Sequence, residues 1–186
     1  MGNSQSFTLT SGGGLLKVLL TPLTVCTPII DRTRGPDKTS GVNAIWDTGA
    51  SGSVITQKVV DELDIQPVGM SQVHTVSGQE ESPVFLVDFA LPNGVVLQGL
   101  RVTLGRLIGA DALIGMDVIV MGDFSITNLN GKTKMSFRIP SSVEVDYVKE
   151  SQDAARLSDG QSLSRQQRRQ LEKQQFKRWK INGGKP

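Results

Sequence analysis

The chain has 186 residues with 38% hydrophobic and 20% charged residues, enough to bury a core without disulfide staples. No apolar run approaches the length of a membrane span, and the longest candidate, Leu15–Leu20, contains Lys17. One Cys26 and one His74 exclude an internal disulfide and a His-rich metal site.

The net charge of +2 hides a division. From Arg165 onward stand eight Lys/Arg and one acid, a net +7, whereas the rest carries 12 basic and 17 acidic residues, a net −5. A mildly acidic body with a basic appendage is expected.

Taken in chain order, the N-terminus has no secretory pattern and implies a cytoplasmic protein. Met1-Gly2-Asn3-Ser4-Gln5-Ser6 fits the myristoylation pattern, read here as coincidence. Phe7–Thr10 alternates as a strand, and Ser11–Gly14 turns the chain into Leu15–Val25. Pro22 and Pro28 make that second segment an irregular or edge strand. Asp31–Gly41 is a polar loop. Val42, Ala44 and Trp46 then alternate toward a turn at Asp47-Thr48-Gly49, with Trp46 in the core.

Thr56 is the N-cap of a short helix to Leu63 that buries Val59, Val60 and Leu63. Two hairpins follow: Val84–Leu91 with Val95–Leu97 across Pro92-Asn93-Gly94, and Phe124–Leu129 with Lys132–Ile139 across Asn130-Gly131, a type I′ signal. Between them Ala112-Leu113-Ile114 is a buried run ending at Gly115, followed by a short helix, Met116–Val120. The expected class is an all-β barrel or sandwich with two short helices.

After residue 150 apolar residues become too few for a separate core. Ser164-Arg165-Gln166-Gln167 fits a capping box opening a helix to Ile181, stopped by Gly183-Gly184. This basic tail reads either as a solvated helix or as a docking element for nucleic acid, acidic lipid or the acidic body.

The chemistry centres on Asp47-Thr48-Gly49-Ala50-Ser51. An Asp in a tight turn after an apolar strand can hold a carboxylate rigidly over a cleft. Two such carboxylates within hydrogen-bonding distance share one proton, so that one is an acid while the other is a base. The tripeptide alone is equally compatible with an Asx turn capping a strand end. Gly131-Lys132-Thr133 ends like a P-loop, but Ile126 stands where its first Gly is needed, so nucleotide binding is rejected.

Three segments together decide between the readings of the tripeptide. Ala44-Ile45-Trp46-Asp47-Thr48-Gly49-Ala50-Ser51, His74-Thr75-Val76-Ser77-Gly78-Gln79 and Ala112-Leu113-Ile114-Gly115-Met116-Asp117 follow in that order. His74 lies 27 residues after Asp47, and Ala112 lies 38 after His74. Over residues 7 to 140 the chain resembles the retropepsin-like aspartic proteases. The resemblance implies a protease domain over residues 6 to 140, with a linker and basic tail over 141 to 186.

By the same resemblance Asp47 is the catalytic Asp. Thr48 supplies a hydroxyl that locks two catalytic loops across a dimer, and Gly49 contacts the substrate backbone. Ala50, Ser51, Val76, Ser77 and Gly78 are expected to bind substrate, the last three in a flap that closes on the peptide. Only one Asp-Thr-Gly is present, so an active enzyme requires a homodimer acting on a peptide or protein. No metal or organic cofactor is implied. Viral relatives place an Arg and an acid where Met116 and Ser51 stand here, a departure that resembles cellular and bacterial members. The alternative is a non-catalytic peptide-binding or dimerisation module of the same fold.

Overall fold

A computed structural model of the chain describes residues 5–29, 33, 35–75, 78–158 and 165–181. The fold is mostly β and divides into two units, Met1–Val143 and Glu144–Pro186. In the first, β2 (Leu20–Cys26), β3 (Thr39–Trp46), β4 (Val54–Ile55), β5 (Gly69–Thr75), β6 (Gly78–Ala90), β7 (Val96–Leu104) and β8 (Ala112–Ile114) form one sheet ordered β2-β3-β8-β4-β7-β6-β5. A further β2–β6 pairing bends it back on itself, leaving the β5–β6 hairpin projecting from the closed part.

The expected alternation in β3 is observed: Val42, Ala44 and Trp46 are buried while Gly41 and Asn43 face outward. Helix α1 (Gln57–Leu63) buries Val59, Val60 and Leu63 beneath the sheet. Thr56 is its N-cap, but the side chain makes no capping bond; its hydroxyl donates to Asp111 Oδ1 at 3.4 Å instead. The short helix α2 (Met116–Ile119) follows β8 and buries Val118 and Ile119.

A second sheet joins β1 (Gln5–Thr10) to β10 (Lys134–Ile139) and β10 to β9 (Asp123–Thr127). It packs aromatics against the strand that precedes Asp47. Trp46 stacks on Phe124 with centroids 5.4 Å apart and an interplanar angle of 11°, and meets Phe137 and Phe7 at 5.0 and 6.0 Å. Its indole N–H donates to buried Thr21 Oγ at 2.9 Å, so the polar tip is satisfied inside the core.

Three expectations are revised. The second strand begins at Leu20 rather than Leu15, because the segment before it is held by the β9–β10 turn: Leu16 N–H donates to Thr133 Oγ1, and Ser11 exchanges bonds with Thr133. Nor is β2 a simple edge. It pairs with β3 throughout and with β6 at Thr24–Cys26, and Pro22 falls where only β3 is paired, so its missing N–H costs no ladder bond. Asn130 and Gly131 do form a tight turn with positive φ of 55° and 69°, but the paired strands end at Thr127 and Lys134, giving a longer loop.

The second unit holds α3 (Tyr147–Ser158) and α4 (Arg165–Ile181). Helix α3 was not expected; its start is set by Asp146, whose carboxylate accepts the Lys149 N–H at 3.0 Å. The α4 bounds agree with the expected helix, while Ser164 and Gly183-Gly184 lie outside the described residues, as do Met1–Ser4. No described helix is long and apolar enough to cross a membrane.

Candidate active site

Asp47 follows β3, and its position is set from both sides. Its N–H donates to Ile114 O at 3.0 Å, tying it to the end of β8, which lies parallel to β3 through Ala44↔Ala112 and Trp46↔Ile114. Its carboxylate Oδ1 accepts the Gly49 N–H at 2.8 Å. A Cβ on Gly49 would stand 3.2 Å from that same oxygen, so glycine keeps the carboxylate uncrowded. Asp47 is half-buried, whereas Thr48, Gly49 and Ser51 are exposed.

The loop after β8 supports the Asp47 loop from below. Met116 N–H donates to Ala50 O at 2.8 Å, and Asp117 N–H to Ser51 O at 3.2 Å. The approach is close enough that a Cβ on Gly115 would lie 2.6 Å from the backbone C and O of Gly52. Buried Ser53 completes the joint. Its hydroxyl donates to Asp117 Oδ1 at 2.8 Å and accepts the Gly115 N–H at 3.1 Å, while its own N–H donates to Asp117 Oδ2 at 3.0 Å. Asp117 and Ser53 were not singled out from the sequence as partners. The available signal was an acid in the first turn of α2 directly after the Gly of the third motif.

Of the eight residues singled out from the sequence, Asp47, Thr48, Gly49, Ala50 and Ser51 share this one loop. Gly78 stands apart at the start of β6, where Thr75↔Gly78 and His74↔Gln79 are the last pairs of the hairpin, and its φ is +129°. Val76 and Ser77 lie outside the described residues. The β5–β6 arms are antiparallel from Gly69↔Val84 outward.

A groove of about 560 Å³ on the outer face of β2 and β3 is lined by Pro22, Thr24, Asn43, Lys58, Leu91 and Asp111, and not by Asp47. There Lys58 Nζ donates to Asp111 at 2.7 Å, and that hydrogen bond holds the ammonium above its ordinary pKa. Cys26 is buried, and its thiol is pushed up first by burial and then by Asp88. Among the described residues, no group of three His, Cys, Asp or Glu could hold a metal ion.

Residues 38–120 match the family model described as "gag-polyprotein putative aspartyl protease". That segment runs from the start of β3 to the end of α2 and so contains both loops just described. No curated protein matches the sequence. Among solved structures the chain is similar to a retropepsin-like aspartic protease from Rickettsia conorii, at 9% identity and a TM-score of 0.44, covering 74% of this chain and 97% of that one. It is similar also to EIAV protease complexed with an inhibitor, at 18% identity and a TM-score of 0.42, covering 56% and 88%. Simian foamy virus (mac) protease follows at 18% identity and a TM-score of 0.33, covering 52% and 88%. The aspartyl-protease family match thus covers the segment that builds the site.

Proposed function

We propose that the chain is a homodimeric aspartic endopeptidase in which Asp47 of each copy meets at a two-fold axis. The observation that carries this reading is the clamped Asp47 loop: a carboxylate oriented by the Gly49 N–H and braced by the Gly115–Asp117 turn. The chain supplies one Asp-Thr-Gly, so the second carboxylate comes from a second copy. The exposed Thr48 and the apolar run leading into β2 favour such pairing. Leu15, Leu16, Val18 and Leu20 are exposed, and Leu20 is in register with Ile45, two residues before Asp47.

In the pair the two carboxylates share a proton. One activates a water for attack on the scissile carbonyl and the other donates to the carbonyl oxygen, with no covalent intermediate. The substrate is an extended segment held by main-chain hydrogen bonds under the β5–β6 hairpin, with Ala50, Ser51, Val76, Ser77 and Gly78 along its path. Activity has an acidic to mildly acidic optimum.

The test is cleavage of a diverse unfolded-peptide library by wild type and Asp47→Asn across acidic to neutral pH. Cuts made by wild type and abolished in Asp47→Asn are expected. Absence of cuts by a wild-type protein that sediments as a monomer would instead establish a non-catalytic module.

A further inference from the structure

Helix α4 carries seven Lys/Arg and one acid, Glu172, in 17 residues. The placement of the cations is regular. Arg165, Arg169, Lys173 and Lys177 follow at steps of four and Lys180 three further on, so all five fall within an arc of about 120° at 100° per residue. Successive members of the row rise by about 6 Å along the axis. Arg169, Lys173 and Lys177 are exposed, and Phe176, whose position falls inside the same arc, is 55% exposed.

Like charges four residues apart disfavour an isolated helix, so this row is a cost unless an anion lies against it. The apolar residues argue about which anion. By position, Leu171, Phe176 and Trp179 fall within an arc of about 140° and Ile181 lies away from it, but Arg168 and Glu172 stand inside that same arc. A helix lying in a lipid interface needs an apolar face clear of charge, whereas here Arg165, Arg168 and Glu172 interrupt the arc that holds Leu171, Phe176 and Trp179. A line of cations with an aromatic ring among them is the arrangement that follows a phosphate backbone and stacks an unpaired base.

We propose that α4 binds the sugar-phosphate backbone of single-stranded nucleic acid, with Arg169, Lys173 and Lys177 on phosphates and Phe176 against a base. This binding is independent of the peptidase reading and uses none of the residues around Asp47.

The experiment is fluorescence anisotropy of the full chain with a short labelled single-stranded oligonucleotide of mixed sequence, titrated between about 50 and 200 mM salt. The expected log–log slope is steeper than about −2. The triple variant Arg169→Gln, Lys173→Gln, Lys177→Gln keeps helix propensity, which far-ultraviolet circular dichroism checks, and flattens the slope by about 2. Phe176→Ala weakens binding about tenfold with the slope unchanged. Absent or salt-insensitive binding overturns the proposal, as do variants that bind like wild type. Tighter binding to a duplex, or binding to phosphatidylserine vesicles without the oligonucleotide, overturns it as well.

Discussion

Ser53 and Asp117 are joined twice, hydroxyl to Oδ1 at 2.8 Å and backbone N–H to Oδ2 at 3.0 Å, and this pair of hydrogen bonds fastens the Asp47 loop to the turn after β8. The residues lie 64 apart in the chain, and the joint exists because β4 runs antiparallel to β8 through Val54↔Leu113 and Ile55↔Ala112.

Asp117→Ala leaves two donors of a buried serine without their acceptor. A loss of about 2–3 kcal/mol in urea unfolding is expected, with Asp117→Asn losing less because one acceptor remains. Equal stability of Asp117→Ala and wild type would remove the joint from the account.

Two glycines of the site are expected to respond differently to a methyl group. Gly115→Ala drives a Cβ to 2.6 Å from the Gly52 backbone, so the fold itself should lose about 1–3 kcal/mol in thermal unfolding. Gly49→Ala places its Cβ 3.2 Å from Asp47 Oδ1, which shifts the carboxylate while leaving the core intact. Its melting temperature should stay near wild type while peptide cleavage falls.

The aromatic cluster offers a third check. Trp46→Ala should cost about 3–5 kcal/mol, measured by chemical denaturation. Thr21→Val keeps the volume but strands the buried indole N–H, and about 1–3 kcal/mol is expected.

Asp123 predicts a pH dependence. The Ser141 hydroxyl first, then the Ser142 N–H and the Arg138 guanidinium, hold its carboxyl well below the usual carboxylate range. A depressed folded-state pKa contributes stability that is complete above the unfolded value of about 3.9 and is lost as pH falls toward the folded one. Asp123→Asn should therefore flatten the stability profile below about pH 4. An unchanged acid limb would show that the contacts to Ser141, Ser142 and Arg138 contribute nothing there.

What could be read from the sequence was local. Val42, Ala44 and Trp46 announce β3 by period two, and Val59, Val60 and Leu63 announce α1 by helical spacing. The Asp47 loop was legible because its strand, turn and small residues are contiguous. Contacts set by topology were not: Phe7↔Phe137 joins residues at opposite ends of the first unit, and Ser53–Asp117 depends on where β4 and β8 meet. Helix α3 was missed because its exposed Tyr147 and Val148 give no apolar stripe, and its one clear signal, Asp146 as cap, sits in a run of otherwise strand-like residues.

The central claim is that catalysis needs one Asp47 from each of two copies, and subunit mixing tests it most directly. Wild type and Asp47→Asn are refolded together in equal amounts and assayed on a peptide that wild type cuts. If subunits pair at random and only wild-type pairs are active, the rate falls to about a quarter of that given by wild type alone at the same total concentration. A rate of about half would mean that each chain works by itself, and an active Asp47→Asn would remove the carboxylate from the chemistry altogether.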